Sequence, residues 1–326
     1  MKIGIVISDG DVSGMNNFIF QIARLTNAEI TLFNGGIPGL LEKNHDDISW
    51  RNLVDFSITS IPIITSGRTQ RKLQRSEYET IAKKIKSLRI DVLIMAGGDG
   101  SLQFLNTLSE FDINCFGVGM TIDNDVYGSD YTIGFSTACE QILKEVSRLR
   151  NTGKALPGRV FMVEILGGYC GELTLQSAIK SNADIALIPE SQMPLETLAE
   201  RVRHKLKQQN SVVILCSEGY TREYSPGFQG AIDTMIKQLE PQIGVRIRKT
   251  IVGYGLRSGD PTCEEIYQGT IMASEVVRCI RSGMKNKAII INSSNKPIPI
   301  DLVSMKKRLV DTEGHHYKFA KKLNII

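Results

Sequence analysis

Short apolar runs alternate with longer segments of helical period along this chain, and the alternation predicts a parallel sheet covered by helices on both faces, an α/β fold. Residues 3–7 form the first predicted strand and 16–25 the first helix, with a glycine turn at its start. Residues 30–33 read as the next strand. A helix is expected over 76–88, where Ser76 is followed three positions later by Glu79 in a capping arrangement, and it feeds a strand at 91–96. The apolar run 115–119 is a further strand and 135–150 an amphipathic helix; 151–157, with Gly153 and Pro157, reads as a loop. A new α/β unit then opens with strands at 160–165 and 212–216, a helix at 227–239 and a strand at 248–253. No internal repeat is evident, and the basic stretch 318–322 is expected to be mobile.

At 326 residues the chain is long enough for two domains. Its formal net charge of +4 is carried by scattered Lys and Arg without a basic arm, so nucleic acid is not indicated and an anionic small molecule suits it better. The six cysteines lie far apart with no zinc spacing, as expected of reduced thiols in a cytoplasmic protein. The N-terminal apolar run is too short for a signal peptide, and no stretch approaches the roughly 18 apolar residues of a membrane span. His45, His204, His315 and His316 lie outside every motif, so no metal or acid–base role is expected of them.

Two strand-to-turn junctions carry the chemistry. The run 115–119 leads into Thr121-Ile122-Asp123-Asn124-Asp125, and carboxylates at the end of a buried strand are costly without a cation or a reacting hydroxyl beside them. The strand at 91–96 leads into Gly97-Gly98-Asp99-Gly100-Ser101, where glycines let backbone N–H groups approach phosphate and one carboxylate is placed to hold Mg²⁺. Taken singly, an Asp at a strand end is usually a turn former and a glycine-rich turn is usually only a turn. Together, in this order, they point to phosphoryl transfer.

These two segments, with Ser8-Asp9-Gly10-Asp11-Val12-Ser13-Gly14, Tyr131-Thr132-Ile133-Gly134-Phe135, Val163-Glu164-Ile165-Leu166-Gly167-Gly168 and Gly253-Tyr254-Gly255-Leu256-Arg257, resemble the 6-phosphofructokinase family over nearly the whole chain. The resemblance implies two Rossmann-like three-layer domains with exchanged segments and the active site in the cleft. The donor domain would be 1–134 plus about 256–306, and the sugar-phosphate domain 135–255 plus about 307–326. It implies transfer from ATP, rather than pyrophosphate, to the 1-hydroxyl of fructose 6-phosphate or a related phosphosugar, with Mg²⁺, in a homotetramer or the smaller dimer. Asp123 matches the family's base, with Arg68 and Thr121 beside the transferred group; Asp99 and Asp125 match the carboxylates that organise Mg²⁺. Gly10, Gly98, Gly100 and Ser101 match the phosphate turns. Arg159, Arg248 and Arg257 match the arginine cage around the sugar phosphate, where Leu166, Gly167, Glu218 and Tyr254 also fall at substrate positions.

Departures from the family pattern are equally specific. Gly168 stands where a phosphate-facing arginine is usual, Phe104 where a small residue lies beneath the nucleotide, and Tyr254 where a histidine is usual. The nucleotide side is further changed by Ile37, Thr69 and Leu73. Gly100 follows the ATP users, and Met120 replaces the lysine of pyrophosphate users. At the bacterial effector site Arg24, Arg150 and Lys207 remain, while Phe20, Gln209 and Asn210 stand in for cations, so weak effector control is expected. Two function classes follow: a working kinase, or a homologue that binds a phosphosugar with little catalysis.

Overall fold

The computed structural model describes residues 1–42, 44–69, 71–224, 230–302 and 307–326. The chain divides into two compact units, Met1–Thr137 with Arg257–Arg308, and Ala138–Leu256 with Leu309–Ile326.

The first unit contains strands β1 (Lys2–Ile7), β2 (Glu29–Phe33), β3 (His45–Ile48), β4 (Val92–Gly97), β5 (Cys115–Gly119), β10 (Lys287–Ile291) and β11 (Pro297–Asp301). They form one sheet in the order β11-β10-β5-β4-β1-β2-β3. The five inner strands are parallel, and β4 and β5 are buried along their whole length, which is why they read as unbroken apolar runs. Both outer strands are antiparallel, and each edge is blunted chemically. Strand β11 carries Pro297 and Pro299, and β3 carries Asp46 and Asp47.

Helices α1 (Met15–Thr26), α2 (Gly36–Leu41), α3 (Arg75–Ser87), α4 (Asp99–Ser109) and α9 (Cys263–Arg281) belong to this unit. Helix α3 is capped differently from the sequence expectation: the Glu77 carboxylate, not Glu79, reaches back to the Gln74 N–H at 2.8 Å. Asn17 on α1 donates to the Ile266 carbonyl of α9 at 2.8 Å and to Thr270 at 3.1 Å, where Gly269 leaves room for the amide.

The second unit holds β6 (Arg159–Ile165), β7 (Ile185–Leu187), β8 (Ser211–Ser217) and β9 (Ile247–Ile251), all parallel, in the order β7-β8-β6-β9. Its helices are α6 (Glu172–Ser181), α7 (Leu195–Leu206), α8 (Ala231–Ile243) and α10 (His315–Lys322), with most of α5 (Phe135–Ala155). Two expectations are corrected here. Helix α5 runs through most of the supposed loop at 151–157, because Gly153, lacking a Cβ, lets it pass against Ser211 on β8. The basic end is not loose: 315–322 is helical, Tyr317 and Ala320 are buried, and the Ala186 N–H donates to the Ile325 carbonyl at 2.9 Å. The helix expected from 227 begins at Ala231; residues 227–229 lie outside the described residues.

Candidate active site

Register places the motif turns of the first unit together. Ile7 lies beside Ala96, and Ala96 beside Val118, so the chains leaving β1, β4 and β5 emerge at one level on the carboxyl edge of the sheet. The first turn holds Asp9 at φ 75°, in the left-handed region, with its N–H on the Gly67 carbonyl at 3.3 Å. That bond brings Arg68 to Asp9, Nε to Oδ1 at 3.8 Å.

The second turn starts α4 from Gly98 with no side-chain cap, which leaves first-turn N–H groups for an anion. Nothing lies within 4 Å of where a Gly98 side chain would begin. Ser101, expected in the phosphate turn, is fully buried, and its hydroxyl donates to Asp9 Oδ2 at 3.0 Å. Its bond therefore fixes the first turn.

In the third turn Asn124 sits at φ 52°, fully buried, donating to the Asp130 carbonyl at 3.1 Å. The Asp123 N–H donates to Thr121 Oγ1 at 3.2 Å, and Thr132 donates to the Thr121 carbonyl at 2.7 Å. Asp125 is 4% exposed and meets Lys307 Nζ at 3.0 Å. Burial raises the Asp125 pKa despite that ammonium. Burial opposes the charge on Lys307 as well, but Asp125, Asp99 and Asp123 outweigh it and raise the lysine's pKa.

Gly10, Arg68, Gly98, Asp99, Thr121, Asp123, Asp125 and Arg257 line one cavity of about 120 Å³, together with Lys307. A neighbouring cavity of about 660 Å³ shares Asp9, Arg68 and Asp99 and extends past Gly100 to Tyr78 and Phe104. Phe104 is packed in its wall, 5% exposed and stacked on Tyr78 with 5.1 Å between ring centroids, and it leaves that space open. Lys307 and Tyr78 belong to no motif, so sequence reasoning passed over both.

The other expected residues are in the second unit. Arg159 opens β6, Leu166 and Gly167 follow it, and Arg248 is on the edge strand β9. Glu218, just beyond β8, accepts from the Gly167 N–H at 3.2 Å and the Gly168 N–H at 2.7 Å, so it shapes that turn. Tyr254 is 84% exposed. Of the residues expected at an effector site, Arg150 pairs with the buried Asp184 at 2.8 Å and Gln209 donates to the same carboxylate at 2.7 Å, a structural tie. Gly168 is at φ 55° with no neighbour near an added Cβ, so Gly168→Arg is expected to fold but to lose about 1 kcal/mol from backbone strain, read as a lower Tm.

Among the described residues no group of three or more His, Cys, Asp or Glu could hold a metal. The two carboxylates Asp99 and Asp125 on one cavity are an all-oxygen donor set, and they fit Mg²⁺, which takes one or two carboxylates together with phosphate oxygens. No helix among the described residues is long and apolar enough to cross a membrane.

A parallel α/β sheet with phosphate-type turns and carboxylates at its carboxyl edge is the architecture of a nucleotide- or phosphate-handling protein. Comparison with known proteins narrows this. The family model described as Phosphofructokinase matches residues 2–280. A probable ATP-dependent 6-phosphofructokinase of Mycoplasma pneumoniae is 33% identical over 307 residues, covering 92% of this chain and 90% of its own. An ATP-dependent 6-phosphofructokinase of Clostridioides difficile is 28% identical over 331 residues, 99% of each chain. Phosphofructokinase from Saccharomyces cerevisiae superposes with a TM-score of 0.80 at 25% identity over 93% of this chain, which spans 45% of the yeast chain. A pyrophosphate-dependent phosphofructokinase from Marinobacter aquaeolei, at 17% identity and a TM-score of 0.85, shares the fold. The chain belongs to the phosphofructokinase family.

Proposed function

We propose that this protein is a 6-phosphofructokinase that transfers the terminal phosphate of ATP, with Mg²⁺, to the 1-hydroxyl of fructose 6-phosphate. The observation that carries the reading is the single cavity on which Asp99, Asp123 and Asp125 meet Gly10 and the uncapped start of α4. Relatives named as ATP-dependent enzymes support the donor, as does a roomy cavity beside the phosphate turns with an aromatic wall for a base.

In this mechanism the α4 N–H groups and Gly10 receive the donor phosphates. Asp99 and Asp125 would hold Mg²⁺, which supplies charge neutralisation on the phosphate oxygens. Asp123 accepts the hydroxyl proton as the oxygen attacks, Thr121 orients the reacting phosphate, and Arg68 faces the charge on the transferred group. Arg159, Arg248 and Arg257 hold the sugar phosphate, with Leu166, Gly167, Glu218 and Tyr254 at the sugar. The first unit supplies the donor turns and Arg257, and the second supplies Arg159, Arg248 and the remaining sugar residues, in a cytoplasmic glycolytic homotetramer.

The test is a coupled assay of purified protein across ATP, other nucleotides and pyrophosphate with a panel of phosphosugars. ATP with fructose 6-phosphate should give the highest kcat/KM. Calorimetric binding of fructose 6-phosphate without turnover for any pair would instead support a phosphosugar-binding homologue, the reading that the uncharged Gly168 favours. Within a working enzyme, Arg159→Ala, Arg248→Ala or Arg257→Ala should raise KM for the sugar phosphate about tenfold or more and leave KM for ATP within about twofold. Equal effects on both substrates would remove the cage.

A further inference from the structure

Lys307 is held at the cavity by its backbone as well as by its side chain. It pairs in an antiparallel bridge with Val126, and the next residue, Arg308, donates its N–H to the Asp125 carbonyl at 2.7 Å. Its ammonium is thus aimed at the Thr121–Asp125 turn from a segment far away in the chain. The partner carboxylate, Asp125 Oδ2 at 3.0 Å, belongs to a side chain only 6% exposed, whereas the lysine side chain is 37% exposed. A buried carboxylate is costly without a counter-charge, and here the counter-charge is on a long, partly solvated and movable stem.

The same carboxylate is one of the two that fit a divalent cation. The ammonium is on Asp125 Oδ2, and a divalent cation taken up by that same oxygen repels it at contact distance, so metal there displaces the lysine. Once freed, Lys307 stays tethered by its backbone on a cavity lined by Gly10 and Gly98, where the nearest new anions would be donor phosphate oxygens.

We propose that Lys307 is an exchangeable counter-ion of the metal carboxylates: it neutralises Asp125 before metal binds, then moves to the donor phosphates and supplies a cation to the transferring group. The phosphate half of this role rests on the kinase reading above; the exchange at Asp125 does not.

The experiment reads metal binding without nucleotide or sugar. Mn²⁺ titrated into the protein and followed by electron paramagnetic resonance should bind about tenfold tighter to Lys307→Met than to wild type, because the resident competitor is gone. In wild type, Mn²⁺ should also raise the labelling of Lys307 by an amine-reactive reagent, read by peptide mass spectrometry, and this measurement needs no variant to fold. In turnover with ATP, Lys307→Met should lower kcat about ten- to a hundredfold, and Lys307→Arg should recover most of it. Unchanged or weaker Mn²⁺ binding by a folded Lys307→Met, or labelling indifferent to Mn²⁺, overturns the exchange. Kinase activity without those two signals sinks this inference and keeps the kinase reading; the two signals without kinase activity do the reverse for the exchange and the kinase.

Discussion

On the proposed reading, Asp123→Asn is expected to lower phosphoryl transfer by about a hundred- to ten-thousandfold, the range for loss of a positioned general base, while Tm and phosphosugar affinity stay near those of wild type. The amide keeps the shape of the side chain but cannot take up the hydroxyl proton. Two local features hold the backbone of this turn in place. The Asp123 backbone is held by its N–H on Thr121 Oγ1, and the turn is set by the buried Asn124, so neither depends on the Asp123 carboxylate. Steady-state kinetics with calorimetry of sugar-phosphate binding decides it: a variant within a few-fold of wild-type kcat would take Asp123 out of the base role.

Glu265→Ala is expected to cost about 3–5 kcal/mol of stability, the largest effect of any single change considered away from the cavity. Glu265 is fully buried on α9, and its carboxylate accepts from Gly134 N at 2.6 Å, Tyr131 OH at 2.7 Å, and both the N–H and the hydroxyl of Thr137 at 3.1 Å. It thereby caps the start of α5 from another helix, and truncation strands all of those donors. Burial raises its pKa to about 7 against these hydrogen bonds, from an ordinary 4.5. A carboxyl whose folded pKa is raised contributes stability that is full below the unfolded value and lost as pH rises through the folded one. The Tm of wild type should therefore carry a component that falls between about pH 4.5 and pH 7, and Glu265→Gln, uncharged throughout, should flatten that component. Parallel Tm profiles for the two proteins over that range would show that Glu265 is ionised in the fold at all these pH values.

Much of the lining of the candidate cavity was legible because it is local. The turn residues Gly98, Asp99, Asp123 and Asp125 lie directly after strands whose apolar runs mark them as buried, so each candidate turn and the element that positions it occupy one short stretch. Capping at α3 was misplaced by two residues because Ser76 and Glu79 match the spacing as well as the true pair, Gln74 and Glu77, and only the backbone path chooses between them. Helix α5 outran its expected end because Gly153 serves close packing against Ser211 there, and a glycine's reason for being present is not written in its neighbours.

By itself the sequence determined the α/β alternation and placed glycine-rich turns and carboxylates at the strand ends, all of which follow from side-chain period and turn chemistry within a few residues. Tertiary structure alone decided what is brought to them from afar. Strand β10 returns to pair with β5, with Asn286 accepting from the Cys115 N–H at 3.0 Å across 171 positions. Glu265 reaches the start of α5 from 131 positions beyond Gly134, and Lys307 reaches Asp125 from outside every motif. Such pairings are chosen by burial and charge compensation in the folded chain, where desolvated carboxylates must find donors or cations wherever the chain can deliver them, and no local pattern encodes that choice.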